Sequence, residues 1–242
     1  MIKLEHVVLP SPEQMKFVIE GMRNPMNSWG MSDSGTCLKD LPCHSCHENR
    51  NNCKKHQDAG FVFGENDRSL MVRLAQAGTD HRKYMRMIPV YVRITAPLYW
   101  WKEFDTYKVG TVANSCSTMH KIAAKRFTLE DFSCEHLVCI STLDYVVQEL
   151  NCWRSRYIQY DEDPTVGENL KMSKKDIWYQ MIRLLPSSYN QTRNVMMNYE
   201  VLANIYKSRR NHKLDEWLTF CDWIEGLPYR EIILTAAGVK EV

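Results

Sequence analysis

The 242-residue sequence has no long apolar run, no strong net charge and no internal repeat. A helix that crosses a bilayer needs about 20 consecutive apolar residues, and no stretch approaches that length. The net charge of +2 gives no strong field for nucleic acid or a membrane surface. The opening "MIKLEHVVLPSPEQ" carries acidic residues and no long apolar segment, which argues against a signal peptide. These absences predict a cytoplasmic protein that binds neither membranes nor nucleic acid.

The composition is that of an ordinary globular protein, with 44% hydrophobic and 25% charged residues. The length suits one domain with an insertion, or two small domains. We interpret residues 1–242 as a single domain, interrupted at residues 33–62 by an insertion rich in cysteine and histidine.

Helical patterns dominate the sequence after residue 128. Near the start, Ser11, Pro12 and Gln14 predict the beginning of a helix, because serine and glutamine at this spacing form a capping box. The stretch "IPVYVRIT" alternates apolar and other residues, which is typical of a strand. We predict further helices over residues 65–78, 98–108, 117–125, 141–160, 173–186, 192–210 and 214–228. The fold class is therefore α+β, with a small antiparallel or mixed sheet flanked by helices and a helix-rich C-terminal half.

The insertion carries four of the nine cysteines. Cys43 and Cys46 form a C-x-x-C pair, the spacing at which two thiolates hold one tetrahedral ion. Cys37 and Cys53 would complete a four-sulfur site, unless a nearby histidine replaces one of them. The alternative is a surface loop with unliganded thiols. We predict a structural zinc ion that holds the insertion in shape.

The stretch "ITAPLYWWKEFDTYKVGTVANSCSTMH" begins with apolar and aromatic residues, continues with charged residues and ends with small polar residues. The predicted strand ends at Ala96-Pro97, and an aromatic helix follows. Trp100 and Trp101 have flat faces that suit a heterocycle or a core, and we expect one to pack and the other to face a ligand. The hydroxyl and amide groups after Gly110 would precede a helix, where backbone N–H groups bind phosphate.

A second pattern lies in the C-terminal half. It consists of Leu185-Pro186, Asn198, Leu202, Asn204 and Arg209. Asparagine is a poor residue inside a helix, because its amide competes with the backbone. Two asparagines in an apolar helix need partners, which a heterocycle, a cap or a neighbouring subunit would provide. Arginine suits an anionic nucleotide, although a solvated helix face explains it equally.

The two patterns, in this order, resemble the flavin-dependent thymidylate synthases. In that family a strand ending in Ala-Pro is followed by a helix with the signature Arg-His-Arg, two residues, Ser, one residue, Asn, two residues, Ser, one residue, Arg-Tyr. These positions hold, in order, Thr106, Tyr107, Lys108, Thr111, Asn114, Ser117, Met119 and His120, with one residue inserted after Thr111. The second pattern matches the family without a gap. The resemblance covers residues 11–32 and 60–225 and leaves the cysteine-rich segment outside.

The resemblance implies roles for individual residues. It implies that FAD is bound by His81, Arg82, Tyr107, Lys108, Asn198 and Asn204. It implies that the nucleotide is bound by Glu103, Thr111, Asn114, Ser117, Arg193 and Arg209. No protein nucleophile is expected, because the flavin carries the redox chemistry.

The resemblance also implies an activity. The family methylates carbon 5 of dUMP with methylenetetrahydrofolate as carbon donor, reduced FAD as hydride source and NADPH as co-substrate, in homotetramers. Replacing Arg-His-Arg by Thr-Tyr-Lys removes two planar cations, each worth ~1.5–3 kcal/mol in charge-assisted hydrogen bonds. Binding would weaken by roughly 10²–10⁴-fold, unless Lys108 or Arg82 compensates. The alternatives are another pyrimidine nucleotide, with hydroxymethyl transfer as one example, or a non-catalytic nucleotide-binding or interaction protein on the same scaffold.

Overall fold

The computed structural model describes residues 2–36 and 61–239. The predicted zinc ligands Cys37, Cys43, Cys46 and Cys53 fall outside these ranges, so the zinc site stays a prediction. Backbone contacts divide the chain into two compact units. The first unit contains Met1–Lys3, Ile94–Thr106 and Asn114–Asn194, and the second contains Leu4–Arg93, Tyr107–Ala113 and Val195–Val242. The single domain over residues 1–242 also stays a prediction.

The described residues form six strands in two sheets. The strands are β1 (Lys3–Val8), β2 (Gly35–Thr36), β3 (Phe61–Val62), β4 (Pro89–Pro97), β5 (Val112–Ser115) and β6 (Asn190–Asn198). One sheet has the order β1-β4-β6-β5, and the other pairs β2 antiparallel with β3. The N–H of Leu98 bonds to the carbonyl of Tyr189, and that of Tyr199 bonds to Ile88, so β4 and β6 run antiparallel.

Helices make up most of the remaining described chain. The α-helices are α1 (Pro12–Arg23), α2 (Glu65–Gln76), α3 (Leu98–Phe104), α4 (Thr118–Lys121), α5 (Ile140–Glu162), α6 (Thr165–Leu170), α7 (Lys174–Leu184), α8 (Tyr199–Arg209), α9 (Asp215–Glu225) and α10 (Arg230–Ala237). None of the helices in the described ranges is long and apolar enough to cross a bilayer. The small sheet and the many helices confirm the predicted α+β class.

The start of α1 confirms the capping box. The backbone N–H of Gln14 donates to Ser11 Oγ at 3.2 Å, and the N–H of Ser11 donates to Gln14 Oε1 at 2.8 Å. Pro12 is the first helical residue, where its missing N–H costs nothing. The helix then buries Met15 and Val18 on its apolar side.

Strand β4 confirms the predicted alternation. Val90, Val92 and Ile94 are buried, whereas Tyr91 between them is exposed. Successive side chains of a strand point to opposite faces, so one face of β4 belongs to the core.

Each unit has its own core. In the first unit α5 packs along α7, and Leu143, Val147, Leu150 and Met181 are buried there. In the second unit α8 packs against α9 and α10. These contacts join α8, which carries the second sequence pattern, to the last two helices of that unit.

A buried ion pair holds the base of the insertion in the second unit. Asp67 is fully buried and accepts from Arg23 Nε at 2.6 Å and from Ser32 Oγ at 2.8 Å. The carboxylate of Asp33 in turn accepts from two N–H groups in the first turn of α2. Burial alone would raise the pKa of Asp67, but hydrogen bonds from Ser34, Arg23 and Ser32 outweigh it and lower that pKa.

Three parts of the sequence interpretation were wrong. Residues 192–198 belong to β6 instead of a helix, and Val195 and Met197 are buried with a strand's period of two. The helix predicted over 117–125 is only the four-residue α4. Strands β1 and β5 were not expected. Sheet neighbours stabilise these short polar strands, and local sequence does not encode those neighbours.

Candidate functional site

A cavity of about 840 Å³ lies in the first unit, beside the start of β6. Its lining includes the lysines Lys3, Lys121 and Lys125, the acids Glu130, Asp131 and Glu135, and the hydroxyls of Ser117 and Thr118. Of the residues predicted to bind the nucleotide, Ser117 is therefore on the cavity wall. Its size and its mixed charges suit a polar small molecule.

The Ser117 turn is fixed by local hydrogen bonds. Ser117 Oγ accepts the backbone N–H of His120 at 3.3 Å, and the N–H of Lys121 donates to the Ser117 carbonyl at 3.1 Å. The backbone N–H of Cys116 donates to the carbonyl of Thr192 on β6 at 3.0 Å. These bonds fix the turn against the strand, so the hydroxyl of Ser117 has a defined position.

Gln191 joins this turn to Arg193. Its Nε2 donates to Thr118 Oγ1 at 2.9 Å and to the Cys116 carbonyl at 3.3 Å. Its Oε1 accepts from Arg193 Nε at 2.8 Å. Both the nitrogen and the oxygen of the Gln191 amide are thus hydrogen-bonded. No local pattern marks Gln191, because its partners Cys116 and Thr118 lie more than 70 residues away in the sequence.

Arg193 does not line the cavity. Its Nη1 donates to Asp105 Oδ1 at 2.7 Å, and its guanidinium carbon lies 4.1 Å from the ring centre of Trp101. The expectation that one of the two neighbouring tryptophans faces a ligand is wrong, since Trp100 and Trp101 are both fully buried. Trp101 Nε1 donates to the carbonyl of Gln191 at 3.0 Å. The aromatic pair therefore supports the cavity wall from within the core.

Two further predicted nucleotide contacts lie elsewhere in the first unit. Asn114 is exposed on β5, and Glu103 is half-buried on α3. The carbonyl of Glu103 accepts from Thr106 Oγ1 at 2.7 Å, which closes the end of that helix. Neither residue lines the cavity, and the hydroxyl and amide segment after Gly110 is mostly strand.

Asn198 caps α8. Its Oδ1 accepts the backbone N–H of Val201 at 3.0 Å, so the amide expected inside a helix stands at its first turn. Gly110, at φ 79°, passes so close that an added Cβ would lie 2.8 Å from Asn198 Nδ2. Only glycine fits here. The neighbouring Thr111 Oγ1 is buried and has no hydrogen-bond partner among the described residues.

Arg82 is a buried anchor of the second unit. It donates to Glu200 Oε1 at 3.1 Å, to the Ala236 carbonyl at 2.9 Å and to Asn204 Oδ1 at 3.4 Å. Arg86 also bonds to Glu200. Burial alone would raise the pKa of Glu200, but the bonds from Arg86 and Arg82 outweigh it and lower that pKa. All three arginine nitrogens act within the chain, which favours a positioning role over phosphate binding.

Asn204 is oriented by this anchor. Because a guanidinium only donates, the Asn204 oxygen must face Arg82, and its NH2 group faces away. Asn204 is exposed, and no described residue accepts from that NH2 group. The arrangement leaves a directed donor on the surface of α8.

Arg209 stands at the other end of α8. Its Nε donates to the hydroxyl of Tyr107 at 2.9 Å, and its guanidinium carbon lies 4.8 Å from the ring centre of Trp217. The structure thus brings together Tyr107 and Arg209, two residues predicted separately. His81 and Lys108 are exposed in the same unit.

These groups fit a flavin with fewer cations than the family signature supplies. The directed amide of Asn204 is a polar group that a heterocycle edge would need. Lys108 and Arg209 are two cations of the same unit. The donor set therefore fits the cofactor that the resemblance implies.

Comparison by sequence finds no match, neither to a protein-family model nor to a curated protein. Comparison by structure does. Thymidylate synthase X (ThyX) from Helicobacter pylori with FAD and dUMP is 13% identical, with 99% of each chain covered and a TM-score of 0.59. A further structure of flavin-dependent thymidylate synthase ThyX from Helicobacter pylori, complexed with FAD and dUMP, is 13% identical, with 97% of each chain covered and a TM-score of 0.56.

The third neighbour is a UMP/dUMP methylase, PolB, from Streptomyces cacaoi, bound with 5-Br UMP. It is 11% identical, and the match covers 99% of this chain and 96% of that one, with a TM-score of 0.52. At such identities the likeness concerns the fold, and it extends over almost the whole chain. The chain therefore has the fold of the flavin-dependent thymidylate synthases.

Proposed function

We propose that this protein is a flavin-dependent enzyme that transfers a one-carbon unit to carbon 5 of dUMP or a related pyrimidine nucleotide. The observation that carries the proposal is the shared fold, over almost the whole chain, with proteins solved with FAD and dUMP and with a UMP/dUMP methylase. The residue pattern on α8 supports it independently, because Asn198, Asn204 and Arg209 occupy the positions that the resemblance assigns to flavin and nucleotide.

The cofactor would be held by the second unit. Asn204, whose amide is fixed by Arg82, would donate its NH2 group to the flavin, and Lys108 would supply charge. A bound reduced flavin would provide the hydride that converts the transferred methylene into a methyl group. Methylenetetrahydrofolate would supply that methylene, and NADPH would reduce the flavin.

The resemblance supports contacts to the nucleotide residue by residue, and each contact is proposed on its own. In the first unit, Ser117 offers its hydroxyl to the cavity. In the second unit, Arg209 offers a planar cation whose orientation is set by Tyr107. Glu103, Thr111, Asn114 and Arg193 stay predicted contacts. The proposed reaction needs no side chain as a nucleophile. The residues named here would therefore act by holding the nucleotide in position.

Tritium release tests the proposal. The protein is loaded with FAD and given methylenetetrahydrofolate, NADPH and either dUMP, UMP or dCMP labelled at carbon 5. We expect release from a uracil nucleotide, reduced in Asn204→Ala and retained in Ser208→Ala, an exposed neighbour on α8. If flavin-loaded protein binds the nucleotide but releases no tritium from any of the three, the protein is a non-catalytic nucleotide-binding protein instead.

Three further expectations remain proposals. The resemblance supports a homotetramer, which light scattering would measure, and the cytoplasmic location stays a prediction. The C-x-x-C spacing alone supports a zinc ion bound by the cysteine-rich segment. Elemental analysis of the wild type and of Cys43→Ser tests the zinc ion, with loss of metal expected in the variant.

A further inference from the structure

The lysines that line the cavity in the first unit differ in whether they form an ion pair with an acidic side chain. Lys125 is paired with Asp131, whose hydrogen bond raises the pKa of Lys125. Lys121 is exposed to the cavity and forms no ion pair with any described residue. A cation without a fixed partner is available for an anionic ligand.

Lys121 is also next to the Ser117 hydroxyl. The backbone bond from Lys121 to the Ser117 carbonyl is an i to i+4 contact, and side chains at this spacing lie on the same side of a helical turn. Ser117 Oγ accepts from His120, so its own hydrogen remains a donor. An ammonium and a hydroxyl donor thus lie together on one wall.

The other cation expected here is already engaged. Arg193 is bound by Asp105 and Gln191 and stacked on Trp101, and it is absent from the cavity lining. Two residues before Lys121, Met119 replaces the arginine of the family signature. Compared with the family signature, the chain therefore lacks a cation at Met119 and carries one two residues later, at Lys121.

The acidic side chains restrict where an anion can be bound. Asp131 is neutralised by Lys125, and Glu130 also lines the cavity. The charge of Glu130 repels an anion, which favours the wall of Lys121 and Ser117 for the anion, whereas the acid suits a hydrogen-bond donor of the same ligand. Lys3, the third lysine, adds charge but has no hydroxyl donor one turn away.

We propose that Lys121 is the cation that contacts the anionic group of the ligand in this cavity. The ligand class is a phosphate monoester with a hydrogen-bonding base. This identity depends on the proposed function, whereas the position of the anion does not.

Calorimetric titration with four probes tests the inference: dUMP, dAMP, deoxyuridine, which lacks the phosphate, and inorganic pyrophosphate. Lys121→Ala should weaken dUMP and pyrophosphate binding by about tenfold to a hundredfold and leave deoxyuridine binding unchanged. Lys121→Arg should restore most of the affinity. Lys175→Ala removes an exposed lysine outside the cavity and should change nothing.

The outcomes separate this inference from the proposed function. The inference is wrong if Lys121→Ala binds dUMP and pyrophosphate as tightly as the wild type. It is also wrong if the variant's affinity for deoxyuridine falls as much as its affinity for dUMP, even where methyl transfer continues. If pyrophosphate binding depends on Lys121 but no uracil nucleotide binds better than dAMP, the assignment of the cation stands and the proposed function fails. A wild-type protein that binds none of the anionic probes overturns the inference.

Discussion

The guanidinium of Arg193 lies over the indole of Trp101, 4.1 Å from its ring centre, and bonds to Gln191 on the cavity side. This relationship gives Arg193 a structural role in addition to its predicted contact with the nucleotide. The arginine fixes the oxygen of Gln191, and the nitrogen of Gln191 then fixes the turn that presents Ser117. Besides its predicted contact with the nucleotide, Arg193 thus supports the cavity wall from behind.

Gln191→Leu tests this support. Leucine has a similar volume but forms none of the three hydrogen bonds of the Gln191 side chain, so the Ser117 turn should become less firmly held. We expect about a tenfold weaker affinity for dUMP, from the loss of about 1 kcal/mol per hydrogen bond. Gln148→Leu changes an exposed glutamine on α5 and serves as control. Equal dUMP affinity in both variants, measured by calorimetry, would show that the turn does not depend on Gln191.

Arg209→Ala tests the nucleotide contact on α8. The wild-type side chain bonds to Tyr107 and stacks on Trp217, so the variant should lose about 1–2 kcal/mol of folding stability as well as nucleotide affinity. Arg209→Lys keeps the charge but not the planar stacking, and should recover only part of the affinity. Lys207→Ala, exposed on the same helix, is the control. An unchanged dissociation constant for dUMP in Arg209→Ala would remove Arg209 from the site.

Asp67→Asn tests the ion pair at the base of the insertion. The buried Arg23 guanidinium would lose its counter-charge, which typically costs about 3–5 kcal/mol. Urea unfolding at neutral pH should show this loss, whereas Glu65→Gln, exposed in the first turn of α2, should show none.

The same pair predicts how stability changes with pH. The pKa of Asp67 is lowered in the folded state, so its contribution is present above the unfolded value of about 3.9 and is lost as the pH falls through the folded value. The stability difference between wild type and Asp67→Asn should therefore shrink on acidification. A difference that stays constant down to pH values below the unfolded pKa would contradict the charged pair.

Cys139 should be the most reactive of the cysteines in the described ranges at neutral pH. Hydrogen bonds from Ser141 and Thr142 lower its pKa to about 7, and the thiol is exposed. Burial raises the pKa of Cys221 to about 12. Brief alkylation with peptide mapping should label Cys139 first, with a rate that rises through pH 7, and Ser141→Ala should slow it. Faster labelling of the exposed Cys152 would contradict the expectation.

Local signals in the sequence predicted some elements correctly and left others out. The capping box at Ser11 and the alternation of Val90, Val92 and Ile94 are contained within a few residues, so the sequence alone revealed them. Strand β6 resembled a helix, because its Met and Val residues join directly to α8, and its strand neighbours are distant in sequence. Gln191 and Lys121 escaped notice for the same reason, since only the fold places them on one cavity.

The most direct test of the account is a single turnover with the purified protein. The FAD-loaded protein is reduced without oxygen and mixed with methylenetetrahydrofolate and, in separate reactions, dUMP or UMP. The nucleotide is examined by mass spectrometry while the flavin spectrum is recorded. We predict that the nucleotide gains a methyl group and that the flavin becomes oxidised in equal amount. A protein that retains no flavin and leaves dUMP and UMP unchanged would contradict the proposed function.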